Sequence, residues 1–282
     1  MEYSLPVEIA VDILGVFNVA DVPVNPRPNV VKGPDPPANM DRPASSSSGG
    51  GTIIPNYVTP ALLNKVYSID SNIGSTLVSQ GVYETSSQTY SPSDLTAFQN
   101  SVGIPKQSVA VDIGGHQSDT YCLQYNSNCY EGNLDVQYMM GVSQVTPMTY
   151  YYIDESNFIL NWLQVMASTP SPPLVLSVSW GLADYYLSKS YMDAVNTEAI
   201  ILSTMGVTLV ASSGDNGVND NAIPCGAYYP QFPASSPYFT AVGATNVLFL
   251  WQSILSICFL IIGYCIVILG SSIRTSRSYM PE

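Results

Sequence analysis

Between Thr52 and Asn246, short β-rich runs alternate with helix-length apolar stretches, and this alternation narrows the possible folds more than any other feature of the sequence. Four strands are expected, at Ser108–Ile113 (SVAVDI), Leu174–Trp180 (LVLSVSW), Val207–Ala211 (VTLVA) and Tyr238–Val242 (YFTAV). Three helical segments, Asn133–Met140, Phe158–Met166 and Ser190–Met205, lie between them. Strands joined through helices pair in parallel, and a parallel sheet needs cover on both faces. The expected fold is therefore α/β, with function in the loops beyond the carboxyl ends of the strands.

Composition narrows the partners. Charged residues make up only 10% of the chain, against roughly 25% in an ordinary soluble domain, while Tyr (20) and Pro (21) are abundant. A net charge of −13 rules against a surface built on neutralising phosphates, so no nucleic acid is expected. The profile suits a secreted or lumenal protein working in acid. Met1–Val31 does not read as a secretory signal, because Glu2, Glu8 and Asp12 stand where basic and then apolar residues belong; an exported protein would begin upstream. Pro23–Gly51, with Pro36-Pro37, four serines and three glycines, reads as a flexible linker. Residues 247–269 carry no charge and are long enough, as a helix, to cross about 30 Å of hydrocarbon. Arg274 and Arg277 follow in the short tail 270–282. A transmembrane helix with a cytoplasmic C-terminus is expected, with a buried core helix as the alternative. Of five cysteines, Cys122 and Cys129 either close a small disulfide or stay free, Cys225 stands alone, and Cys258 and Cys265 sit in the apolar run. No spacing of His and Cys suggests zinc.

Three constellations carry potential chemistry. Glu131 and Asp135, four apart in YEGNLDVQYMMG, meet on one face of a helix and repel unless one is protonated or each has its own partner. The plain alternative is a solvated helix start with acids at the positive end of the dipole. Asp215 follows a strand between Gly214 and Gly217, placed to approach a ligand closely. Asx turns or a calcium site with Asn216, Asn219, Asp220 and Asn221 remain open there. Ser179-Trp180-Gly181 and Phe232–Pro237 are small-residue turns beside strands, bordering a groove where an extended peptide could lie. The sole histidine, His116, sits in a polar loop, and no GxSxG elbow exists, so a Ser-His-Asp triad is disfavoured and a surface histidine expected.

The segments YVTPALLNKVYSI, EGNLDVQYMM, LVLSVSWG, VNTEAIILSTMGVTLVASSGDNGV and FPASSPYFTAVGAT resemble, in order, those of the sedolisins, or serine-carboxyl peptidases. The likeness runs from about Tyr57 to Thr245. It implies a subtilisin-like parallel sheet with helices on both faces, incomplete here, plus the apolar C-terminal helix. It also implies Glu131 as general base, Asp135 as the acid that orients it, and Asp215 as the carboxyl group of the oxyanion hole. A glutamate base stays ionised where histidine is already protonated, and Asp215 donates to an oxyanion only when protonated, so activity in mild acid is expected. The family's Gly-Thr-Ser-Ala-Ser nucleophile motif occurs nowhere in the 282 residues, and its calcium site lies farther downstream, so no cofactor is expected in this chain. The implied organisation is a propeptide remnant and linker at 1–51 and a partial peptidase domain at 52–246. Its partner is a peptide or protein substrate, in a secreted, lysosomal or vacuolar lumen, or at a membrane if 247–269 spans one. The chain as written is expected not to hydrolyse peptides. The alternatives are a membrane-anchored pseudopeptidase that only holds them and a calcium-binding lumenal module.

Overall fold

The computed structural model describes residues 27–28, 51–54, 57–154, 157–215 and 229–244 of the chain. The apolar run 247–269, Cys225, Cys258, Cys265 and the tail lie outside the described residues. Among the described residues, no helix is long and apolar enough to cross a membrane.

The chain enters as a two-residue strand β1 (Arg27–Pro28), then helix α1 (Pro60–Tyr67), strand β2 (Gln80–Glu84) and helix α2 (Pro92–Val102). Both helices start the same way. The hydroxyls of Thr59 and Ser91 accept from the amides of Leu62 and Asp94, and proline fills the first helical position, where its missing N–H costs nothing. Next come β3 (Val111–Ile113), α3 (Asp119–Gln124), α4 (Tyr130–Val142), β4 (Met148–Tyr152) and α5 (Phe158–Ala167). The described chain closes with β5 (Val175–Val178), β6 (Trp180–Ala183), α6 (Lys189–Thr204), β7 (Thr208–Ser212), β8 (Gln231–Phe232) and β9 (Thr240–Val242).

Six strands form one sheet in the order β3-β4-β2-β5-β7-β9, every pairing parallel, as the alternation requires. Side chains alternate across it. Val82, Met148 and Tyr150 pack on one face against Leu95 of α2 and Val136 and Met140 of α4. Tyr83, Tyr151, Leu176 and Leu209 pack on the other against Trp162 and Leu163 of α5 and Val195 and Leu202 of α6. Helices therefore cover both faces.

The structure departs from the sequence reading at particular elements. β2 and β4 are not among the expected strands, yet β2 is central, paired with β4 on one side and β5 on the other. The run Leu174–Trp180 is not one strand. It breaks at Ser179, so that β5 joins the parallel sheet while β6 enters a separate antiparallel sheet between β1 and β8. β3 and β9 are shorter than expected, and α1, α2 and α3 are additional. Cys122 and Cys129 form a disulfide, which settles the alternative left open by their spacing. It closes a short loop immediately before α4. Cys122→Ser with Cys129→Ser is expected to lower the unfolding free energy by about 2 kcal/mol, read by urea denaturation, because the broken loop regains entropy when unfolded.

Candidate active site

The parallel strands deliver their carboxyl ends to one place. β2 ends on Glu84, Ser179 follows β5, and Asp215 comes three residues after β7. Helix α4 begins over the same end, with Glu131 in its first turn and Asp135 one turn later. Ser179 Oγ donates to Asp135 Oδ2 at 2.8 Å, which ties the α4 carboxylate to the loop between the two sheets. Trp180 Nε1 donates to Glu84 Oε2 at 2.9 Å. Glu84 is 0% exposed and Glu131 2%. Both oxygens of Glu131 lack a hydrogen-bond partner among the described residues, and so does Glu84 Oε1 when Glu84 is ionised. Protonation resolves the second case, since a protonated Glu84 donates to Asp135.

Burial decides where the protons sit. It holds Glu84 well above the usual carboxyl range, and the charges of Asp135 and Glu131 push it further. Burial, then the charge of Asp135, raises Glu131 to about 9. Burial raises Asp135 as well, but the Ser179 and Glu84 hydrogen bonds pull back, leaving it at about 6. Asp135 is thus the most acidic of the three and the anion on which two donors converge. Glu131 therefore holds its proton more tightly than Asp135 does. Ser179 also lowers the pKa of Glu131, but its one hydroxyl hydrogen is directed to Asp135.

Asp215 is half-buried, and burial raises its pKa as well. Its charge acts on Glu131, so the three acids expected from the sequence come together. Burial, then the charge of Asp135, makes Glu131 hold a proton more tightly than the ordinary glutamate assumed from the sequence. The oxygen donors at Asn216, Asn219, Asp220 and Asn221 lie outside the described residues. His116 is not a plain surface residue: its ring stacks on Tyr152 at 3.3 Å, Nδ1 lies 3.3 Å from Thr89 Oγ1, and burial lowers its pKa. The charges that act on it are those of Asp112 and Asp154, so it stands apart from the carboxyl cluster.

Sequence reasoning missed Glu84. The signal was an acid closing the run QGVYE, whose five residues are all buried. A carboxyl group in that position requires partners, and it finds them in Trp180 and Asp135.

No family model matches the chain. Tripeptidyl-peptidase 1 of Dictyostelium discoideum is 34% identical over 194 residues, covering 66% of this chain and 31% of that protein. Tripeptidyl-peptidase 1 of Rattus norvegicus is 31% identical over 224 residues, covering 75% of this chain and 38% of that protein. The chain therefore spans about a third of the length of these curated relatives. Among solved structures, Pseudomonas sedolisin, a serine-carboxyl proteinase in complex with pseudo-iodotyrostatin, superposes with a TM-score of 0.52 at 23% identity, over 64% of this chain and 52% of that one. That likeness concerns the fold, while the tripeptidyl-peptidase sequences carry the kinship. With the parallel sheet and the ordered motifs, they place this chain in the sedolisin, or serine-carboxyl peptidase, family as a tripeptidyl-peptidase-like member.

Proposed function

We propose that the chain carries the acid–base part of a peptide-hydrolysing site of the serine-carboxyl type. Glu131 takes the proton of an attacking hydroxyl as its oxygen bonds to the scissile carbonyl carbon, and returns that proton to the amine as the C–N bond breaks. Asp135, held by Ser179 and Glu84, orients the base and balances its charge. Asp215 stays protonated in acid and donates to the developing oxyanion. The observation that carries this reading is the Glu131 carboxyl: buried, without a donor, one helical turn from Asp135 and within range of the charge of Asp215. A hydroxyl brought against it supplies the missing donor and lowers its proton affinity. The substrate is an extended peptide lying along β6. Support comes from β1, whose backbone pairs antiparallel with β6 at Trp180 and Gly181: an extended chain already lies on this edge, and the substrate would take the place of β1 there. The setting is an acidic lumen or the extracellular space.

The test joins residues 52–244 to the remaining length of the Dictyostelium discoideum relative. The folded fusion is expected to cleave peptides with an optimum in acid, and Glu131→Gln to lower kcat about 10³-fold, within the usual range for a general base. A folded but inert fusion overturns the proposal. The 282-residue chain alone is expected to show no turnover at about pH 4, where an unperturbed glutamate titrates. Turnover that is lost in Glu131→Gln would overturn that expectation.

A further inference from the structure

Helix α4 lacks the cap that its sequence position should supply. Its N-cap residue, Cys129, has its sulfur in the disulfide and makes no side-chain cap hydrogen bond. The first-turn amides of a buried helix start need an acceptor from elsewhere. Gln88, more than forty residues upstream, provides it: its Oε1 accepts from Glu131 N at 3.2 Å and from Gly132 N at 3.4 Å.

Gln88 is itself locked in place. It is 6% exposed. Its Nε2 donates to Ser127 O at 3.4 Å, its carbonyl accepts from Tyr150 Oη at 3.0 Å, and its amide donates to Thr85 O at 3.0 Å. The chain reaches this place through Ser86 and Ser87, both in the left-handed region (φ 50° and 63°), a costly conformation for two successive non-glycine residues. A second contact fixes the same junction. A Cβ on Gly132 would fall 2.6 Å from Tyr150 Oη and 3.0 Å from Thr89 O, so the loop lies directly on the helix start.

We infer that Gln88 is a positioning residue for the proposed general base: its side-chain amide caps α4, fixes the backbone of Glu131, and keeps the first-turn amides away from the Glu131 carboxyl. The last point has a chemical consequence. Carboxylates in the first turn of a helix are stabilised by free amides there, which would make a weaker base. With Gln88 occupying those amides, the Glu131 carboxyl is left without a donor, as found. Its high proton affinity agrees with this arrangement.

The inference rests on the reading of Glu131 as base, but its test does not depend on peptide cleavage. Glu131 is titrated in the full chain by carboxyl ¹³C NMR, assigned with Glu131→Gln, and amide exchange is followed at Glu131 and Gly132. Both amides are expected to be protected in the parent, and free exchange there overturns the cap. Gln88→Leu is expected to speed their exchange about tenfold, the loss of one cap, and to lower the Glu131 midpoint by about one pH unit or more. A folded Gln88→Leu with an unchanged midpoint overturns the positioning role. Gln88→Glu keeps an acceptor, so it is expected to restore amide protection while raising the Glu131 midpoint through like charge. Loss of protection in that variant counts against the cap even if the leucine variant does not fold. An inert fusion with these shifts intact sinks only the peptidase reading; unmoved shifts in an active fusion sink only the role of Gln88.

Discussion

Trp180→Ala is expected to lower the unfolding free energy by about 4 kcal/mol, the range for emptying a large buried aromatic site. Trp180 is 1% exposed and packs in the core of the α5–α6 face. It also gives its indole proton to Glu84, whose buried carboxyl group then loses a donor. Trp180→Phe separates the two effects, because most of the packing remains while the hydrogen bond goes. That variant is expected to cost about 1–3 kcal/mol, the penalty for leaving a buried polar atom unpaired. Urea denaturation measures both, with unchanged m-values as the sign that the denatured state is the same. A loss below about 2 kcal/mol for the alanine variant would mean that Trp180 is not a core residue.

Stability is expected to fall as pH rises from about 4 to 7, the reverse of a protein held by ionised carboxylates. The folded state raises the pKa of Glu131 to about 9 and of Asp135 to about 6. The unfolded chain releases these protons near pH 4, so across this interval the folded state binds more protons and loses stability with each pH unit. At about 1.4 kcal/mol per unit, Glu131 alone costs roughly 3 kcal/mol by pH 7. Glu131→Gln removes the titrating group. It is expected to raise the melting temperature by roughly 6–12 °C at pH 7 and to change it little at pH 4. Equal shifts at both pH values would show that Glu131 is solvated in the folded protein.

The two results explain why the site was only partly legible in the sequence. Glu131, Asp135 and Asp215 stood out through spacing and neighbouring glycines, which are local signals. Glu84 did not, because its importance comes from Trp180 and Asp135, which reach it only across the sheet. Gln88 was invisible for the same reason, since a cap supplied from more than forty residues away leaves no trace in the helix it serves. In the fold, parallel α/β architecture was readable from the alternation of elements. Strand β2 was not, because Gln80, Gly81 and Glu84 dilute its hydrophobicity and only tertiary burial makes it a strand. Strand β4, MTYYY, carries its apolar surface on tyrosines whose hydroxyls find partners once folded, as Tyr150 does at Gln88. The break at Ser179 was hidden because β5 and β6 are both β-rich, and only their pairing with different sheets divides them. Helices α1 and α2 were readable and overlooked: Thr59-Pro60 and Ser91-Pro92 are the cap-and-proline starts that local chemistry favours.

The central place of β2 also bears on synthesis. Its neighbours β4 and β5 are encoded about 70 and 95 residues later. At roughly 5–20 residues per second on the ribosome, β2 emerges several seconds before either neighbour exists. During that interval its unpaired backbone edge is open to holdase chaperones and to strands of other nascent chains. Substitutions that make β2 greasier would therefore cut the yield of soluble protein while leaving the melting point of the molecules that do fold unchanged.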